Sequence, residues 1–247
     1  MRRALPVAVL ALCGSLLRAD GLADLKAALK GLPQPAKVKV RIEEDSQERE
    51  EGKDRTEHRT VVVEDGPDGS RILEDSRPAP AQAGQGEAKS GGKKGGGKKE
   101  GGAKGPVKRN GDFRDALRPS EGLLEQLEKA RLLEEKAETR DGRPARRLKL
   151  AMDLDLDAEA RSHLKQANHE ATVWIGQDGL PMAMTHRIEM KARVLLFASV
   201  WTKIEIQRRF QWHQNRLLLL DEQADVQGAA LGKTFSAKDT TRCTPQP

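Results

Sequence analysis

Across much of residues 143–213, apolar side chains return at every second position, a period that extended strands satisfy and helices do not. Leu148, Leu150, Met152, Leu154 and Leu156 alternate with Arg147, Lys149, Asp153, Asp155 and Asp157. Leu180, Met182, Met184, His186, Ile188 and Met190 repeat the pattern. Ala192, Val194, Leu196, Ala198, Val200, Ile204, Ile206, Phe210 and Trp212 continue it in phase. Each run has one apolar and one polar edge, which predicts antiparallel strands packed on one face and solvated on the other. Residues 191–213 are too long for one ordinary strand, and a break is expected near Ala198–Trp201.

Turn chemistry places these runs in hairpins. Asp141-Gly142 separates Ala130–Thr139 from Arg143–Leu156, and Asp178-Gly179 separates Thr172–Ile175 from Leu180–Met190. Asn215 marks a turn before a strand that starts at Leu217–Leu220. Earlier in the chain, Val38, Val40 and Ile42 alternate with Lys37, Lys39 and Arg41. A charged stretch, Glu43–Arg59, leads to a second strand at Thr60–Glu64. Gly66-Pro67-Asp68-Gly69 turns into a short third strand, Ser70–Leu73. Helices are few. Leu22, Leu25, Leu29 and Leu32 share a helical face, with Asp20 as cap and Gly31-Pro33 as stop. Ser120 is expected to cap a helix carrying Leu123, Leu124 and Leu127, and Asp157 one over Ala158–Ala167. The fold class predicted is α+β, mostly antiparallel β: a strongly curved sheet with a few short helices on one side.

Charge is unevenly distributed. The 247 residues carry a net +6. Residues 1–19 contribute +3, residues 77–111 contribute +7, and the remainder is −4. Residues 1–19 read as a signal peptide: Arg2 and Arg3 precede the apolar run Val7–Leu17, and Leu17-Arg18-Ala19 resembles a cleavage site. The run is too short to span a bilayer. Export to a periplasm or to the outside is the expectation. Leu12, ahead of Cys13, is too large for a lipid-attachment signal. Residues 77–111 hold eleven Gly and one bulky apolar residue, Val107, so they cannot bury enough surface to order themselves. They read as a disordered insertion in a single domain formed by residues 20–76 and 112–247. Lys93, Lys94, Lys98, Lys99, Lys104, Lys108 and Arg109 could hold this segment at an anionic surface, such as a membrane or another envelope protein.

Other chemistries find little support. Seven aromatic residues and an acidic body argue against a nucleic-acid partner. Gly92–Lys99 and Gly228–Thr234 resemble phosphate loops, but the first has Lys99 where Ser or Thr belongs and the second is one residue short. Asp153, Asp155 and Asp157 begin like a calcium loop without its Gly or closing Glu. His58, His163, His169, His186 and His213 show no ligand spacing, and no nucleophile motif is present. No enzyme activity, cofactor or metal is predicted. Cys243 is expected in a solvated tail.

The leader, the amphipathic helix, the charged strands and the hairpin Val173-Trp174-Ile175-Gly176-Gln177-Asp178-Gly179-Leu180-Pro181 together resemble the bacterial lipoprotein-carrier superfamily. That group comprises periplasmic carriers, their outer-membrane receptor and related lipid-binding or stress-sensing domains. The resemblance covers most of residues 20–76 and 112–236. It implies an incomplete (half) β-barrel closed by helices, with an apolar cavity for acyl chains. The Gly/Lys insertion departs from the pattern. The apolar face of the sheet, rich in adaptable Met, supplies the candidate ligand contacts. These are Leu148, Leu150, Met152, Leu154, Trp174, Met182, Met184, Ile188, Leu196, Val200 and Ile204. The function expected is non-enzymatic binding of a lipid or lipidated partner. The alternative is an envelope interaction or stress-sensing module with the same fold and a filled core.

Overall fold

In a computed structural model, residues 20–34, 36–77, 113–154, 156, 158–193 and 199–247 are described. The expected leader at 1–19, including Cys13, and all but Arg77 of the basic insertion lie outside them, as does Leu196.

Among the described residues, ten strands form one open antiparallel sheet. They are β1 (Val38–Glu50), β2 (Lys53–Gly66), β3 (Gly69–Asp75), β4 (Arg131–Arg140), β5 (Arg143–Ala151), β6 (Leu164–Ile175), β7 (Pro181–Arg193), β8 (Ser199–His213), β9 (Arg216–Ala230) and β10 (Lys233–Gln246). Their spatial order is β3-β2-β1-β10-β9-β8-β7-β6-β5-β4. Strands from both sides of the basic insertion therefore share one sheet. Among the same residues four helices accompany it: α1 (Gly21–Lys30), α2 (Arg114–Leu117), α3 (Pro119–Glu128) and α4 (Ala158–His163).

Four hairpins close through two-residue turns in which both central residues have positive φ: Glu51-Gly52, Asp141-Gly142, Gln214-Asn215 and Leu231-Gly232. This turn matches the right-handed twist of the flanking strands. It explains why the charged stretch Glu43–Arg59 is a hairpin rather than a connection between strands. Glu50 faces Lys53, Arg49 faces Asp54 and Glu48 faces Arg55 across the ladder. Arg49 donates to both Asp54 oxygens at 2.7 and 2.9 Å. Opposite charges in register hold strands together where no apolar side chain is available.

Several expected boundaries move. β5 ends at Ala151, so Met152 and Leu154 lie past it. The fourth helix stops at His163, because the residues from Leu164 onward pair with β7 instead. The third helix starts at Pro119, a residue preorganised for a first helical position, so Ser120 is inside it rather than capping it. The break expected near Ala198–Trp201 comes earlier: β7 ends at Arg193, and Ser199 to Trp201 already belong to β8. Cys243 is not in a tail. It lies in β10 opposite Ile42, 3% exposed.

The main core fills one end of one face of the sheet. Helix α1 buries Leu22, Leu25 and Leu29. Its packing on β5 is close: a Cβ on Gly21 would come within 2.6 Å of Leu148 Cδ2. The Gly21 amide donates to Glu135 at 3.1 Å, and Arg146 reaches Asp24 at 2.7 Å. Helices α2 and α3 pack on β9 with Leu117, Leu123 and Leu127 buried. Val40, Ile42, Val61, Val63, Leu148, Leu150, Val173, Ile175 and Met184 complete that core.

Candidate functional site

Antiparallel register sorts the helix-bearing face into rows that cross the sheet, each about 7 Å from the next. The first row beyond the packed core is polar. It runs from Met184 through Arg208, Glu222, Thr241 and Glu44 to Arg59. Arg208 donates to Glu222, so that pair neutralises itself. Arg59, nearly buried, donates through Nε and Nη2 to the two carboxylate oxygens of Asp75 at 3.1 and 2.7 Å. Glu44 lies 3.5 Å from the same guanidinium. Burial raises the Glu44 carboxyl above its ordinary range despite Arg59 and Arg77. Phe113 lies under the Arg59 guanidinium, 5.1 Å from ring centre to Cζ. Asp75 and Phe113 flank the basic insertion, so Arg59 holds both of its ends.

A second ionic node sits inside the core. Asp65 on β2 is 0% exposed and Arg216 at the start of β9 is 3% exposed. Arg216 donates to the Asp65 carboxylate, to Ala36 O at 2.9 Å and to Leu117 O at 2.7 Å. Arg118 donates to Asp65 Oδ1 at 3.1 Å and to Gly66 O at 2.6 Å, and Ser70 donates to the same carboxylate. Burial alone would raise the Asp65 carboxyl, but the hydrogen bonds from Arg118, Ser70 and Arg216 outweigh it and hold it below the usual range. This node ties β2, β9 and the α2–α3 junction together and has structural rather than chemical reach.

Beyond the polar row the same face becomes apolar again. Ala171, His186, Ile206 and Ala224 form one row, with Asp239 next to Ala224. His169, Ile188, Ile204, Val226 and Ala237 form the next. Met190, Thr202, Gly228 and Phe235 follow, and then Ala192, Val200 and Ala230. Ile204 is 8% exposed and Val226 6%, yet neither belongs to the continuous core beneath the helices. Phe235 lies across Gly228, where a Cβ would come within 2.3 Å of the ring and 2.8 Å of Trp201 O. On β1 and β2 these rows turn charged, with Glu48 opposite Arg55 and Glu50 opposite Lys53. The result is an apolar floor on β7–β10 with an ionic rim.

The sequence-derived ligand residues divide accordingly. Leu148, Leu150 and Met184 are packed in the filled core, at most 1% exposed, and Met152 packs against it. Ile188, Val200 and Ile204 lie on the apolar floor. Trp174 alternates with the core residues Val173 and Ile175 and so occupies the opposite face. There Arg140 sits 4.0 Å over its ring and Glu138 accepts from its Nε1. Met182 is the extra residue of a bulge opposite Trp174 and Ile175. Leu154 is half-buried past the end of β5. Leu196 and the basic residues Lys93, Lys94, Lys98, Lys99, Lys104, Lys108 and Arg109 lie outside the described residues. Val226, Ala237 and Phe235 were missed, because β9 and β10 carry no clean alternation over Asp221–Pro245.

The five histidines include one pair in contact, which their spacing does not announce. His169 Nε2 and His186 Nδ1 are 3.2 Å apart, and His169 Nδ1 is 3.3 Å from Asp153 O. His186 is 4% exposed. Burial first, then Arg208 and His169, push its imidazole down to about 3, so it is neutral at ordinary pH. Among the described residues no group of three or more His, Cys, Asp or Glu side chains is placed to hold a metal ion. Gly228–Thr234, the second phosphate-loop likeness, is the β9–β10 hairpin, followed by strand β10 where a phosphate loop leads into a helix. Comparison with protein-family models, with curated proteins and with solved structures gave no match to this chain.

Proposed function

We propose that this chain is an exported, non-enzymatic binding protein whose sheet curls into a half-barrel and holds the acyl chain of a lipid or lipidated partner on its apolar floor. The observation that carries the reading is the row Ile188–Ile204–Val226. Its central residues are nearly buried although they stand outside the helix-packed core, as expected if neighbouring strands curve around them. An apolar row that excludes water and stands outside the helix-packed core suits a flexible apolar ligand. The floor from the Ile206 row to the Val200 row spans seven residues of β8, about 20 Å at the strand rise. One lipid tail occupies about 15 Å of a bilayer's ~30 Å hydrocarbon core. The basic segment 77–111 would keep the loaded or empty protein near anionic envelope surfaces. Organic extraction of the natively purified protein, followed by mass spectrometry, tests this. A near-stoichiometric acyl species is expected; a lipid-free protein that also fails to take up a fluorescent fatty-acyl probe sinks the reading.

A second reading draws on the packed end of the same face. Leu148, Leu150 and Met184 leave no space under the helices, which favours an interaction or stress-sensing module with a filled core. Probe uptake separates the two.

A further inference from the structure

Two large apolar side chains, Trp201 at 41% exposed and Leu231 at 64%, stand at the same end of the sheet. Trp201 lies near the start of β8, on the face opposite the apolar floor, and pairs with Ala229 on β9. Leu231 follows Ala230, the partner of Val200, and opens the β9–β10 turn. Leu231 is unfavourable there twice over. Its φ of 53° is a left-handed conformation that Gly, Asn or Asp adopts readily and a bulky apolar residue does not. Its side chain also faces water. A strained residue with an exposed apolar side chain, where Asn would serve the fold better, points to a contact outside the fold.

The free charge around this pair has one sign. Lys191 faces Trp201 and Arg193 faces Ser199 across the β7–β8 ladder. Lys165 lies beside Gln166, which faces Lys191. All three are exposed, and among the described residues none has a carboxylate partner. The acids nearby are already matched: Glu189 lies opposite Lys203, and Glu51 pairs with Lys233. Between Arg193 and Trp201 the sequence reads VLLFASV and adds no acid.

This end is made of strand ends and turns. A protein partner ordinarily covers about 800 Å² on each side, and a second copy meeting it end to end would bring the same cations together. A bilayer asks for no matched shape. Trp seats its ring at the head-group level, an aliphatic side chain enters beside it, and Lys and Arg meet anionic head groups. We propose that this end of the sheet docks on a bilayer containing anionic phospholipid, with Trp201 and Leu231 entering the interface and Lys165, Lys191 and Arg193 meeting the head groups. The contact is distinct from the charge-only role given to residues 77–111. It does not depend on the acyl-binding reading, since no lipid has to leave the bilayer.

The full chain is mixed with vesicles of phosphatidylcholine alone or with about a third of phosphatidylglycerol, at about 0.15 M salt, and bound protein is read by sedimentation. Binding to the anionic vesicles alone is expected, with a blue shift of tryptophan emission. Leu231→Asn should bind about tenfold more weakly, as expected for losing one partly buried Leu, while folding at least as stably. Trp201→Thr should bind more weakly and lose the blue shift, because Trp212 lies at the opposite end of β8 and Trp174 lies under Arg140 on β6. Lys191→Gln with Arg193→Gln should weaken binding about fivefold for each charge. Equal affinity of Leu231→Asn and wild type, a blue shift that survives in Trp201→Thr, equal binding to both vesicles, or binding to neither would overturn the inference. Salt-sensitive binding unchanged by Leu231→Asn would leave the contact to residues 77–111. A chain that doubles in mass without vesicles, and is a monomer as Leu231→Asn, would assign this end to a second copy instead. None of these results bears on a bound acyl species, which organic extraction reads separately.

Discussion

Replacing Asp65 by Asn tests whether the buried ionic node holds the helices to the sheet. The carboxylate is 0% exposed and answers two guanidiniums, of which Arg216 is 3% exposed and also carries the Ala36 and Leu117 carbonyls. The substitution keeps shape and removes charge, leaving Arg216 buried without its counter-ion. Breaking one side of such a pair costs about 3–5 kcal/mol. For a body of this size each kcal/mol moves Tm by about 2–4 °C, so a fall of about 6–20 °C is expected. Urea unfolding followed by circular dichroism measures it, as a lower midpoint at constant slope. Asp45→Asn is the control: it removes an exposed partner 2.7 Å from His58 and should change stability by less than about 1 kcal/mol. The pH dependence has a definite sign. Because the folded carboxyl is held low, the unfolded chain binds the proton first, and the node's stabilisation is lost as pH falls below the ordinary Asp range. Asp65→Asn should flatten that acid limb. A loss under about 1 kcal/mol, or an unchanged acid limb, would refute the account.

Other substitutions probe the hairpins and the floor. Leu231 holds φ 53° in a tight turn with 64% of its surface exposed, so Leu231→Asn should raise stability by about 1 kcal/mol, read as a Tm gain. Gly228→Ala would drive a methyl into Phe235 and the Trp201 carbonyl, and because backbone cannot yield it should cost about 1–3 kcal/mol in urea. Cys243, whose thiol burial pushes up to about 12, should resist an aromatic disulfide reagent in the folded protein and react at once in urea.

What the sequence made legible follows from what each strand packs against. β5 and β7 bury one face in the core, and their two-residue period identifies them within a few positions. β10 was not legible. Its sequence KTFSAKDTTRCTPQ faces the core only through Cys243, and the rest meets the half-exposed floor or solvent. Residues 164–171 look helical by composition, with Leu, Lys, Gln and Ala prominent, but the ladder of β7, joined by β5 from Glu170 onward, captures them as strand. The polar row from Arg208 to Arg59 is invisible for a different reason. Its members come from five strands and meet only through register, which no local pattern encodes. The same applies to His169 and His186, brought side by side across the β6–β7 ladder.

The strand order has a consequence for how the molecule assembles. Every neighbouring pair in the sheet is consecutive in the chain except β1 and β10. All the others join strands that follow one another in the chain, but Lys39 must find Gln246, about 200 positions away, and each doubling of such a loop adds about 0.6 kcal/mol of closure entropy. The β1–β10 seam is thus the slow, non-local event, with β1–β3 and β4–β10 able to form as separate meanders beforehand. Cut within residues 78–112 and joined end to end, the chain would take the strands in sheet order, from β4 to β10 and, after α1, from β1 to β3. Such a permutant should reach the same sheet with lower contact order, and so fold faster at nearly unchanged stability.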